Sequence, residues 1–254
     1  MVGFNGVSRL AAADDEGRVH TAHFRKVPSQ ASVAGWWVDL SMAAGNPPPN
    51  YYVGTPLEAT VLNGFRGIFH GDDKAPASKH LVTFGLIASS AGFICQHKLC
   101  DYLMFYSFVD GDSTDTQLMD NTVTLPRYET SGGQVMAVAI TPSTGSGRFT
   151  FDYVNQDGVT RTSPVQACST TAANIATLVT TQQAVANNAA PFLRLAVGDT
   201  GVRSIVSCTF VVPNGGLIAL VIARPVTDHA PRELNTPAEK TWGDQFVGAP
   251  RLRR

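Results

Sequence analysis

Residues 148–162 read Arg-Phe-Thr-Phe-Asp-Tyr-Val-Asn-Gln-Asp-Gly-Val-Thr-Arg-Thr. Phe149, Phe151 and Tyr153 alternate with Thr150, Asp152 and Val154, so an extended backbone puts three rings on one face and a mostly polar set on the other. Asn155-Gln-Asp-Gly158 then supplies turn chemistry, and Val159-Thr-Arg-Thr162 returns as a second strand. The stretch predicts a β-hairpin with one aromatic, buried face, and therefore a β-rich fold with a core beneath it.

A second pair of strands follows from Ser207-Cys-Thr-Phe-Val-Val, Pro213-Asn-Gly-Gly216 and Leu217-Ile-Ala-Leu-Val-Ile. Asn-Gly favours a tight turn, so a hairpin is expected here too. Its arms run apolar without alternation, as strands covered on both faces do. In all, eleven segments have strand character: 19–26, 34–41, 57–63, 79–89, 98–108, 133–141, 148–155, 159–164, 192–196, 202–212 and 216–225. Helical signals are few. Ser8 can cap a short helix ending near Gly17, and Ile175, Leu178 and Val179 have helical spacing within a threonine-rich 171–187 that opposes it. Asn46-Pro-Pro-Pro-Asn50 can be neither helix nor central strand and reads as an ordered surface loop.

These signals predict an all-β chain: an antiparallel, jelly-roll-like β-sandwich with a short N-terminal helix and an extended C-terminal arm. The expected divisions are an N-terminal arm over 1–17, the sandwich over 18–226 and the arm over 227–254. In the last, prolines 231, 237 and 250 punctuate a polar chain whose large apolar anchors are Trp242 and Phe246.

Only 15% of the 254 residues are Asp, Glu, Lys or Arg, against roughly 25% in ordinary soluble domains. A surface covered by hydroxyls, amides and small residues suits contact with neighbouring protein. The net charge of −1 supplies no basic stripe for nucleic acid, and Arg251, Arg253 and Arg254 form only a terminal cluster. The longest apolar run, Leu217 to Ala223, has the length of a buried strand and not of a membrane helix. Asp14, Asp15 and Glu16 interrupt any secretory leader, and Cys95, Cys100, Cys168 and Cys208 read as reduced, buried thiols.

Searches for chemistry return little. There is no G-x-S-x-G elbow, Walker loop, H-E-x-x-H or G-x-G-x-x-G. Glu58, Glu129, Asp101 and Asp39 are available as a hydrolase carboxylate pair, though no spacing selects them. Cys95-x-His97-x-x-Cys100, with His70 and His80 upstream, has some zinc-site character, but neighbours on a strand leave it in different directions. Asp110-Gly-Asp-Ser-Thr-Asp115 resembles a calcium loop and lacks the EF-hand Gly and Glu at positions 115 and 121, so a polar loop is the expectation. Trp36, Trp37, Tyr51 and Tyr52 would serve either as a sugar platform or as packing and subunit anchors, and the second is expected. No cofactor, metal or catalytic residue is implied.

The run from Ala34 to Gly54, Ala-Gly-Trp-Trp-Val-Asp-Leu-Ser-Met-Ala-Ala-Gly-Asn-Pro-Pro-Pro-Asn-Tyr-Tyr-Val-Gly, resembles a segment of tailed-bacteriophage virion structural proteins. The likeness continues through Leu99 to Tyr106, Asp112 to Asp115, Met119 to Tyr128, Asn155 to Gly158 and Gly198 to Arg203, and spans about Ser32 to Pro225. It implies a non-enzymatic virion protein of the capsid-decoration or cement type, assembled in the host cytoplasm and seated on the capsid surface. Its partners would be the major capsid protein and further copies of itself, such as a trimer, with no membrane and no direct nucleic-acid contact. A glycan-binding tail or baseplate component is the alternative. Trp36, Trp37, Tyr51, Tyr52, Trp242 and Phe246 are the expected assembly contacts.

Overall fold

The computed structural model describes residues 7–28, 35–62, 66–71, 79–169, 173–180, 190–241 and 251–252. Helix α1 is Val7–Asp15, and the strands are β1 Arg25–Val27, β2 Ala44–Asn46, β3 Ala59–Val61, β4 Lys79–His80, β5 Thr83–Leu86, β6 His97–Asp110, β7 Gln117–Leu118 and β8 Gln134–Ala139. They continue as β9 Arg148–Asn155, β10 Thr160–Thr162, β11 Gln166–Ala167, β12 Val202–Val212, β13 Leu217–His229, β14 Ala238–Thr241 and β15 Arg251–Leu252.

Two antiparallel sheets form the sandwich. The first has the order β10-β9-β12-β7, with β11 extending the β10 side of β9, and the second has the order β3-β6-β13-β8. Leu178 bridges to Val138 on β8, placing residues 173–180 as a rudimentary further strand of the second sheet. From β6 onward the chain crosses from sheet to sheet, pausing in the first for β9, β10 and β11, as a double Greek key does, so the architecture is the expected jelly-roll type. Three two-stranded ribbons, β1-β2, β14-β5 and β15-β4, lie outside the main sheets.

The 148–162 hairpin forms as β9 and β10, with Val154 opposite Thr160 and Asp152 opposite Thr162. Phe149, Phe151 and Tyr153 are fully buried and pack with Phe210, Ile205 and Cys208 of β12 against Leu103, Tyr106, Ile218, Leu220 and Ile222 of the other sheet. β13 is apolar on both faces because it is covered twice. Ile218, Leu220 and Ile222 face the first sheet, while Ala219, Val221 and Ala223 face a second cluster with Phe105, Met136 and Val138.

The second expected hairpin does not form. β12 and β13 belong to different sheets, and Pro213–Gly216 is the corner between them. Each strand already has two neighbours, and the corner is tied to a third segment: Asn214 N–H donates to Gly111 O (2.8 Å) and Gly111 N–H to Gly216 O (2.8 Å). Gly216 has φ +70, and a side-chain carbon there would lie 2.4 Å from the carbonyl oxygen of Pro142. The same Gly residues that suit a hairpin therefore serve a tight inter-sheet crossing.

Residues 192–196 are not a strand. The described part of 34–41 carries only an isolated bridge, Val38 to Thr177, before a 3₁₀ turn over Leu40–Met42. The described part of 171–187 is not helical. The boundary drawn at 226 is also corrected, since β13 runs on to His229 opposite His97, and β14 pairs with β5 of the same chain. Backbone hydrogen bonding there outcompetes a free arm.

Candidate assembly surface

The two sheets have unlike outer faces. Over the second sheet lies a layer built by residues 37–52, with Trp37, Met42 and Tyr52 packed, beside Ala176 and Leu178 of the edge segment, on Phe105, Met136, Val138 and Val221. Asp39 anchors it. Its carboxylate accepts hydrogen bonds from the hydroxyls of Tyr52 and of Tyr102 (2.9 Å) and from Ser41 N–H (2.8 Å), the last capping the 3₁₀ turn. Burial and then the Asp39 charge raise both tyrosine hydroxyls well above the usual phenol range. The same causes push Cys100 up to about 12. From the rim, Lys26 Nζ donates to the carbonyls of Ala43 (3.1 Å) and Pro47 (2.8 Å), and burial lowers its pKa.

Tyr52 is therefore not an assembly contact: it is fully buried, has φ 51, and its carbonyl accepts from the Ser107 hydroxyl. The left-handed backbone turns its ring inward while Tyr51 stays 50% exposed. This separation dismantles the four-ring sugar platform. Trp36 is half-buried, and Trp37 is half-buried in the covering layer beneath the Lys98 ammonium, 5.8 Å from its ring. Trp242 and Phe246 lie outside the described residues, as do Arg253 and Arg254.

The other candidates are taken up by the fold. Asp101 forms a two-point ion pair with Arg127 (2.6 and 3.1 Å), Glu58 accepts from Thr122 (2.9 Å), and Asp39 is occupied as above, so each of these carboxylates has a structural partner. Asp110 Oδ1 accepts from Asp112 N–H (2.9 Å) and Ser113 Oγ from Asp115 N–H (3.2 Å), the pattern of a self-capped polar loop. His97 Nδ1 lies 2.9 Å from Cys95 O, while Cys100 turns to the Asp39 side. Among the described residues, no three His, Cys, Asp or Glu side chains gather as a metal site.

No covering layer of this kind lies over the first sheet among the described residues, and cross-strand register defines its outer face. One row runs Thr162, Asp152, Ser207, Leu118; a second runs Thr160, Val154, Ser204; a third pairs Thr150 with Thr209; and Arg148 lies opposite Val212 at the margin. Side-chain hydrogen bonds stitch the rows. Asp152 accepts from the hydroxyls of Thr162 (2.6 Å) and Ser207 (2.8 Å), and the hydroxyls of Thr209 and Thr116 meet at 3.0 Å. Leu118 is 70% exposed and Val211 61%. Asp152 and Arg148 are the only charges in these register rows.

At one end of this sheet the loop 194–201 is fixed by Asp199, which accepts from Tyr153 Oη (2.6 Å) and Asn155 Nδ2 (2.9 Å), with Arg161 at 3.7 Å. The Tyr153 hydrogen bond holds the Asp199 carboxyl below its ordinary value, and burial pushes Tyr153 up to about 12. Sequence reasoning missed this site and the Asp39 anchor. A signal for Asp39 existed in Asp-Leu-Ser, where a carboxylate can cap the amide two residues on.

Comparison with protein-family models, with curated proteins and with solved structures returned no match. Among the described residues no helix is long and apolar enough to cross a membrane.

Proposed function

We propose that this chain is a structural subunit of a tailed-phage virion, a capsid-decoration or cement protein that works by laying the outer face of its first sheet on a neighbouring subunit. The carrying observation is that face: cross-strand rows of Thr and Ser with one central carboxylate. Little desolvation of charge opposes its burial, and charge depletion is the compositional mark of interface cores. The two-sheet, double-Greek-key order is one that capsid proteins use, and lectins and cupins use it as well, so the surface carries more of the argument than the fold. The sequence resemblance to virion structural proteins supports the same reading.

On this reading the subunit adds interface area between capsomers, and self-association multiplies contacts that are individually weak. The partners are the major capsid protein and further copies of this chain, and the location is the capsid surface. Antibody labelling of particles in negative stain tests it directly. Label distributed over the head is expected, and label confined to the tail, or none on the particle, contradicts it.

A further inference from the structure

His97 and His229 face one another in register where β6 begins and β13 ends. Nε2 of His229 is buried without a hydrogen-bond partner, and His97 Nδ1 lies 2.9 Å from the Cys95 carbonyl. A cavity lined by Gln96, Asp228, His229, Glu239 and Lys240 opens beside the pair. On the neighbouring positions Asp228 is shared by two ammonium groups, Lys98 Nζ at 3.1 Å and Lys240 Nζ at 3.2 Å. Gln96 also donates to it (2.9 Å). Lys240 belongs to β14, so this carboxylate joins the last turn of the main sheet to the C-terminal ribbon.

The ionisable groups around the pair are Cys95 before β6, Lys98 on β6, Asp228 on β13, and Glu239 and Lys240 on β14; β5, Thr83–Leu86, brings none. We propose that the His97–His229 pair is a pH-sensitive latch: protonation opens the His97–Leu99/Thr227–His229 end of the ladder and releases β14 from β5. An imidazolium at His97 would be held in a half-buried place opposite the His229 ring, beside two lysines that share one carboxylate. His229 Nε2, buried without a partner in the closed form, would reach water on opening.

The sign agrees with the geometry. Burial, and then His229, lower the His97 pKa below 6.5. The closed form therefore binds fewer protons than the open one, is fully favoured above about pH 6.5, and loses ground as pH falls from there toward the depressed value. Asp228 opposes the opening, because its hydrogen bond from Lys98 holds its carboxyl below the ordinary value and keeps the clamp charged through this range. The latch is thus local, with protonation of His97 pulling open, against the facing His229, what Asp228 holds shut. It is independent of the assembly role proposed above.

Hydrogen–deuterium exchange of the full chain between pH 7.5 and 5.5, corrected for intrinsic exchange, tests it. Amides of 227–229 and 238–241 should open on the order of tenfold more per unit of pKa depression sampled, while amides of 219–222 stay protected. His229→Gln and His97→Gln should each flatten that profile, and Asp228→Asn should raise opening at every pH. An unchanged profile in both glutamine variants, no local rise in the natural chain, or simultaneous opening of 219–222 would overturn the latch.

Discussion

The second sheet hides its outer face under its own chain, and among the described residues no such layer covers the outer face of the first sheet. Both sit on the same core. The covered face is apolar, with Phe105, Met136, Val138 and Val221, and the 37–52 layer, with Leu178 at the sheet's edge, excludes water from it. The outer face of the first sheet carries hydroxyls, with Leu118, Val211 and Val212 among its exposed large apolar side chains. One surface is covered by the chain itself, and the other is the one that the proposed assembly role would use.

Substitutions on the two faces should therefore act on different quantities. The largest stability loss is expected for Tyr52→Ala, which empties a fully buried ring site against Phe105 and removes a donor to Asp39. A cost of about 3–5 kcal/mol in denaturant unfolding is expected from such a truncation. Asp39→Ala should come next, at about 1–3 kcal/mol, because Tyr52 and Tyr102 lose their acceptor in a buried setting. If either variant unfolded at the natural midpoint, the covering layer would not be part of the cooperative core, and the contrast between the faces would fail.

A smaller effect separates the ends of the open sheet by pH. Asp199 has a depressed folded-state pKa, so its contribution is present above the unfolded value near 3.8 and is lost as pH falls through the folded one. Asp199→Asn should flatten the dependence of the urea midpoint between pH 5 and pH 3, and an unaltered slope would remove the carboxylate from the account. Smallest of all, Thr209→Lys on the bare face should shift stability by no more than about 0.5 kcal/mol. A loss of several kcal/mol there would mean that the face is packed in the isolated chain.

The sequence made one face more legible than the other. Phe149, Phe151 and Tyr153 alternate so regularly that strand, face and burial follow from them, and Thr150, Asp152 and Val154 fall on the opposite, outer face at the same time. The doubly covered β13 was also readable from its unbroken apolar run. The covering layer was not, because it has no period: Trp37, Tyr52 and Leu178 are placed by Asp39, a 3₁₀ turn and a left-handed tyrosine, and these are tertiary devices. Asn214-Gly-Gly misled for a related reason, since positive φ at Gly215 and Gly216 serves a hairpin and an inter-sheet corner equally. The assembly contacts inferred from aromatics fell on the covered side at Tyr52 and Trp37, whereas the polar outer face of the 148–162 hairpin, legible from its alternation, had no residue singled out as a contact.

The most direct test of the account places two lysines on the outer face of the first sheet at positions that are not cross-strand partners, as Thr160→Lys with Thr209→Lys, and measures binding of the purified, folded variant to particles stripped of the natural protein. Unchanged thermal unfolding with binding weakened at least tenfold is the predicted result. Full occupancy of the particle by the doubly charged variant would show that this face is not what the neighbouring subunit covers.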